Sequence, residues 1–153
     1  MRNKISAGFT LIELLIVIAV VAILSAMAIA NYSDYVIRSK LQEPASLLND
    51  LRAKLELYYL DNRHYGPSPS CGISVPLPTE AKYFNYICTS NSANALGGQG
   101  YVIEARGIPG TNMYGFVMQI DQSNTKRTLS VPTSRGWTLP ASDCWVQNRS
   151  GAC

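Results

Sequence analysis

The chain has 153 residues, 47% of them hydrophobic and only 15% charged, with a formal net charge of +3. Average soluble domains are about 25% charged. This composition excludes a disordered chain and a multi-span membrane protein. It also argues against a purely cytosolic globular enzyme, because the apolar excess sits in one run that no soluble fold of this size easily hides.

That run is residues 9–30, 22 residues in which Glu13 is the one ionisable group and Thr10 and Ser25 are the other polar side chains. Arg2 and Lys4 precede it. Three readings compete. The first is a secretory signal peptide, with Ala26-Met27-Ala28 as a small-x-small cleavage site and Ile29 as the new start. The second is a plain anchor, since a helix of that length at about 1.5 Å per residue crosses the hydrocarbon. The third starts from Glu13. A carboxylate in a membrane helix costs about 2.5–3.5 kcal/mol at mid-bilayer. It therefore implies a cationic partner in the same low-dielectric layer, and the nearest is an α-amino group created by cleavage just ahead of Phe9.

Residues 4–15 read K-I-S-A-G-F-T-L-I-E-L-L, and G-F-T-L-I-E resembles the processing motif of the type IV pilin and minor pilin family. The resemblance continues through Asn31-Tyr32-Ser33-Asp34-Tyr35 and beyond that is one of layout. It implies a leader of residues 1–8, the class III signal peptide cut by a prepilin peptidase between Gly8 and Phe9, and N-methylation of Phe9. It implies that Phe9 and Glu13 serve assembly with other pilin subunits and an inner-membrane assembly platform. The precursor would cross the inner membrane once, head in the periplasm, before joining an extracellular pilus. The family's mid-run Gly and its Pro before the Asn-Tyr segment are replaced here by Ala22 and Ala30. Ala favours the helix, which weighs against local melting in a filament.

Further on, Leu41, Leu48, Leu51, Leu55 and Tyr58 mark the apolar face of an amphipathic helix, with Asp50, Arg52, Lys54 and Glu56 between them. Pro44 either kinks a continuous helix over residues 9–62 or opens a second one. Asn62 and Gly66-Pro67 end it. Residues 63–82 form an irregular connection holding Pro67, Pro69, Pro76 and Pro78. Strand patterns follow at 83–89, 101–106, 114–121 and 127–131, with Gln122 to Thr125 as a hairpin loop, so that 83–132 is an antiparallel sheet. Residues 133–153 are loop-like. The expected fold is α+β: a long N-terminal helix, apolar in its first half, packed on a small antiparallel meander.

The four cysteines, Cys71, Cys88, Cys144 and Cys153, all lie after the apolar run. They lack the close spacing of a zinc site and read as disulfides in an oxidising compartment. Three pairings exist; the most local joins Cys71 to Cys88 and Cys144 to Cys153, the latter closing the C-terminal loop. Reduced buried thiols are the alternative.

Catalytic chemistry is poorly represented. His64 is the one histidine, at a helix end; Gly97-Gly98-Gln99-Gly100 lacks a phosphate-loop lysine; no acidic pair suggests acid–base work. We expect no enzyme, no cofactor and no metal. Without the leader the chain carries 11 basic and 10 acidic residues. Past residue 105, however, Arg106, Lys126, Arg127, Arg135 and Arg149 face only Asp121 and Asp143. The leading expectation is a structural pilus subunit, major or minor, whose head serves adhesion, twitching motility or uptake. One rival is a minor pilin contacting DNA through Lys126, Arg127, Arg135, Arg149 and Trp145, with Trp137 beside them. Others are an adhesin meeting a host surface through residues 145–149, a secretion pseudopilin, and a soluble binding protein cut after Ala28.

Overall fold

The structure is a computed structural model, and the described residues are 9–75, 81–91 and 98–153, with the side chains of 27–31 and 91 set aside. The leader, Gly8, Ala30 as a side chain, Pro76 and Pro78 lie outside them. The elements run α1 (Leu11–Lys40), α2 (Gln42–Asn62), β1 (Phe84–Asn91), β2 (Gly100–Gly107), β3 (Val117–Asp121), β4 (Lys126–Ser130) and a 3-10 turn at Thr133–Arg135. The chain divides into two units, one ending at Val36 and one from Ile37 to Cys153.

From Leu11 on, the N-terminal unit is helix. Its apolar side chains from Phe9 to Leu24 make no core: Leu11 is 79% exposed and Val20, the least exposed of them, 50%. Among the described residues, no helix is long and apolar enough to cross a membrane; the apolar run continues in sequence into residues 27–30.

The second unit is built on α2. The helix is interrupted at Leu41, and Pro44 stands in the first turn of α2, two residues past its start at Gln42. First-turn N–H groups have no intrahelical acceptor, so the missing proline donor costs nothing there. Of the two outcomes expected for Pro44 the structure has the second helix, although Pro44 is its third residue rather than its first. At the other end Arg63 turns left-handed (φ 61°) and its N–H caps the Tyr59 carbonyl at 2.8 Å, the αL stop in which glycine is the usual residue.

Leu48, Leu51 and Leu55 are at most 1% exposed. They form the stripe that α2 lays on β2 and β3, against a core that includes Phe84, Ile103, Phe116, Met118 and Ile120. The sheet is a four-stranded antiparallel meander in the order β1-β2-β3-β4. A bulge at Val117/Met118 shifts the β3–β4 register. Their hairpin is closed by Asp121, whose Oδ1 accepts the N–H groups of Ser123 and Thr125, each at 2.9 Å, with Asn124 left-handed at φ 60°. Disulfides join Cys71 to Cys88 (Cα–Cα 5.7 Å) and Cys144 to Cys153 (6.1 Å).

Candidate functional sites: the helix start and the basic end of the head

At the start of α1, Thr10 and Glu13 form a reciprocal pair. Glu13 Oε2 accepts from the Thr10 backbone N–H at 2.9 Å and from its hydroxyl at 2.7 Å. The Glu13 N–H in turn donates to Thr10 Oγ1 at 3.3 Å. This is a capping box, which satisfies two N–H groups that have no acceptor within the helix and places a negative charge at the positive end of its dipole. The sequence signal for it is T-x-x-E at residues 10–13, which the charge of Glu13 alone does not reveal. Glu13 thus holds the first turn of its own helix in the single chain, while Phe9, 83% exposed, precedes the cap.

The candidate contact residues of the head fall into two places. Lys126 and Arg127 on β4 meet residues 143–145: the Lys126 ammonium lies 4.9 Å from the centre of the Trp145 ring, and Arg127 is bound to both oxygens of Asp143 at 3.1 and 3.3 Å. That carboxylate holds the Arg127 pKa above its ordinary value. Arg135 lies elsewhere. Its guanidinium donates to the carbonyls of Asn112 and Tyr114 and sits 5.8 Å from the Phe116 ring. Arg149 is exposed in the terminal loop, where its carbonyl accepts the Thr138 N–H at 3.0 Å.

Trp145 lies mostly within the core. It is 8% exposed, and its indole N–H donates to the Gln119 carbonyl at 2.8 Å. Trp137, 2% exposed, packs edge-on against Phe116. Stacking on nucleobases needs free aromatic faces beside a cationic groove. Here both indoles belong to the core, Arg127 is paired with Asp143 and Arg135 is bound to backbone. Trp145, expected as a ligand contact, has its ring closing the core where the terminal loop crosses β4.

Other groups that chemistry might recruit are also tied down. His64 Nδ1 accepts the Gly66 N–H at 3.0 Å. Glu56 receives the hydroxyls of Tyr65 and Tyr101, each at 3.1 Å, so one carboxylate joins α2, the following loop and β2. Burial, then the Glu56 charge, pushes the Tyr65 pKa up to about 12 and that of Tyr101 further. Burial chiefly, then Glu43, does the same for Tyr86. Among the described residues no group of three or more His, Cys, Asp or Glu side chains is placed to hold a metal ion.

An apolar helix with a capped carboxylate at its head, followed by a helix-on-meander unit, is a layout of the pilin-like α+β class. The comparisons agree. A family profile described as the prokaryotic N-terminal methylation motif matches residues 3–29. The chain is 36% identical to fimbrial protein EcpC of Eikenella corrodens, over 59% of this chain and 58% of that one. It is 38% identical to the type IV major pilin protein PilE of Neisseria gonorrhoeae, over 60% of each. To the type IV major fimbrial protein FimA of Dichelobacter nodosus it is also 38% identical, over 60% and 58%. The chain is thus similar to type IV pilins and fimbrial proteins, and the matches span about three fifths of the length of those relatives.

Proposed function

We propose that the chain is a non-enzymatic structural subunit of a type IV pilus that assembles through its N-terminal helix. One observation carries this reading: every large apolar side chain from Phe9 to Leu24 is half exposed or more. Such a surface needs a cover, and the pilin relatives supply the kind of cover, other copies of the same helix. In this account a prepilin peptidase cuts after Gly8, and Phe9 becomes the methylated first residue. The 22-residue run to Ala30 waits in the inner membrane, head in the periplasm, until an assembly platform transfers it to a fibre on the cell surface. Packing between helices replaces packing against lipid.

Glu13 then has a second role. The α-amino group of a neighbouring Phe9 and the Glu13 carboxylate are each costly in a dry core, and pairing offsets both costs while setting the axial register. Replacing Glu13 by Val tests it. The variant should accumulate in the membrane at wild-type level and yield far fewer sheared fibres. Wild-type fibre yield from Glu13→Val contradicts the register mechanism.

A further inference from the structure

The outward face of the sheet carries a groove of about 460 Å³, within the range of about 300–1,000 Å³ typical of small-molecule sites. Its floor is one cross-strand row: Asn85 of β1 faces Arg106 of β2, Arg106 faces Val117 of β3, and Val117 faces Ser130 of β4. Ile87, 44% exposed, lies two residues along β1 from Asn85. The chain between β2 and β3 supplies the wall, with Pro109 and Tyr114, a residue 61% exposed.

That wall is held in place before any ligand arrives. A Cβ at Gly107 would fall 1.9 Å from the Met113 carbonyl oxygen, and Gly115 adopts φ +98°, so the loop folds back only with glycine at these two positions. Gly107 N–H donates to Phe116 O at 2.9 Å, and Ile108 N–H to Tyr83 O at 3.0 Å. Lys40 Nζ donates to Asn112 Oδ1 at 2.9 Å, and Arg135 binds the carbonyls on either side of Met113. The cation offered by sequence as a ligand contact acts here as a positioning residue for Tyr114.

The chemistry of the lining is mixed and uncharged in sum. Arg106 is held by Glu104 Oε2 through two hydrogen bonds at 2.8 and 2.6 Å, so its charge is balanced by a neighbouring carboxylate. Asn85 Oδ1 is a buried acceptor with no protein donor. An anion is disfavoured, since the one cation of the lining, Arg106, is already engaged by the Glu104 carboxylate. An added strand is disfavoured because the groove lies on the face and not along an edge. What fits is a flat molecule with one C–H face for Tyr114, Ile87 and Val117 and a rim of hydroxyls that both donate and accept.

We propose that this groove is a binding site for a neutral saccharide, with Tyr114 as the stacking ring and Asn85, Arg106 and Ser130 as its polar contacts. The groove lies wholly within the Ile37–Cys153 unit and does not depend on filament assembly. The test uses the full chain in mild detergent against a printed panel of neutral and anionic oligosaccharides, with any neutral ligand then titrated by saturation-transfer NMR. Tyr114→Ala and Asn85→Ala should each weaken binding at least tenfold with unchanged near-UV circular dichroism, while Lys126→Ala leaves it intact. Three results overturn the proposal: no neutral saccharide bound at millimolar concentration, binding of anionic glycans alone, or binding that survives both groove variants. A fourth is disulfide cross-linking between copies carrying Tyr114→Cys in fibres, which assigns the groove to a second subunit.

Discussion

Leu55 and Leu57 stand two residues apart on α2, one fully buried and the other 63% exposed, so they make a matched pair of perturbations. Leu55→Ala removes side-chain atoms from a site closed by the sheet. Leucine-to-alanine changes at such sites cost about 2–5 kcal/mol, the transfer of the lost methyl groups plus the cavity left behind. The 0% exposure of Leu55, and of Leu48 about two turns earlier on the same face, leaves little room to collapse, and we take about 3 kcal/mol. A head of this size loses roughly 3–5 °C of melting temperature per kcal/mol. Leu55→Ala should therefore melt about 10–15 °C below the parent chain. Leu57→Ala removes no core contact and should stay within about 0.5 kcal/mol, a shift of some 2 °C by the same conversion. Thermal melts of the full chain in mild detergent, followed by near-UV circular dichroism of the buried Trp137 and Trp145, read both. Equal shifts, or a larger one for Leu57→Ala, refute the packing of α2 on the sheet described above.

Two further outcomes concern the head. Tyr65 titrates at about 12 in the folded chain against an ordinary value of 10.0, and Tyr101 and Tyr86 are shifted the same way. Between those pH values the unfolded chain gives up protons that the folded one retains, so this contribution is whole below pH 10 and is lost as pH rises toward 12. Denaturant midpoints should fall across that interval, and absorbance at tyrosinate wavelengths should appear with unfolding; a flat midpoint contradicts the buried Glu56–tyrosine cluster. Reduction of the disulfides is the second. The Cys71–Cys88 bridge spans 17 positions, worth about 3 kcal/mol by loop closure, and Cys144–Cys153 spans 9, worth slightly less. Mild reductant should lower the denaturant midpoint in two steps of that order, and an unchanged midpoint counts against the bridges as structural.

The parts of this fold that the sequence made legible are those with a period. Leu48, Leu51 and Leu55 recur at helical spacing and occupy the core, and the alternating runs became β1 to β4 within a few residues of their expected ends. Proline chemistry narrowed the fate of the helix to two outcomes without choosing between them, because a single residue does not reveal where its helix begins. Pairings across long separations were out of reach. A count of charges gives Arg127 and Arg135 equal standing, yet one meets Asp143 and the other meets two carbonyls. Trp145 has the composition of a binding residue and the surroundings of a core residue. The groove on the sheet was invisible for the same reason: Asn85 and Arg106 become neighbours only through the β1–β2 register. The capping box is a different case. Thr10 and Glu13 stand at the T-x-x-E spacing of that motif, so the local role of the carboxylate was legible beside its membrane cost.

The account rests on Phe9 being the first residue of the working chain, since the pairing assigned to Glu13 needs that α-amino group. Intact mass and N-terminal sequencing of the chain recovered from sheared fibres test this directly. The predicted product begins at Phe9 with one added methyl group and carries no residue of 1–8. A chain that begins at Ile29, or one that retains the leader in the fibre, contradicts it.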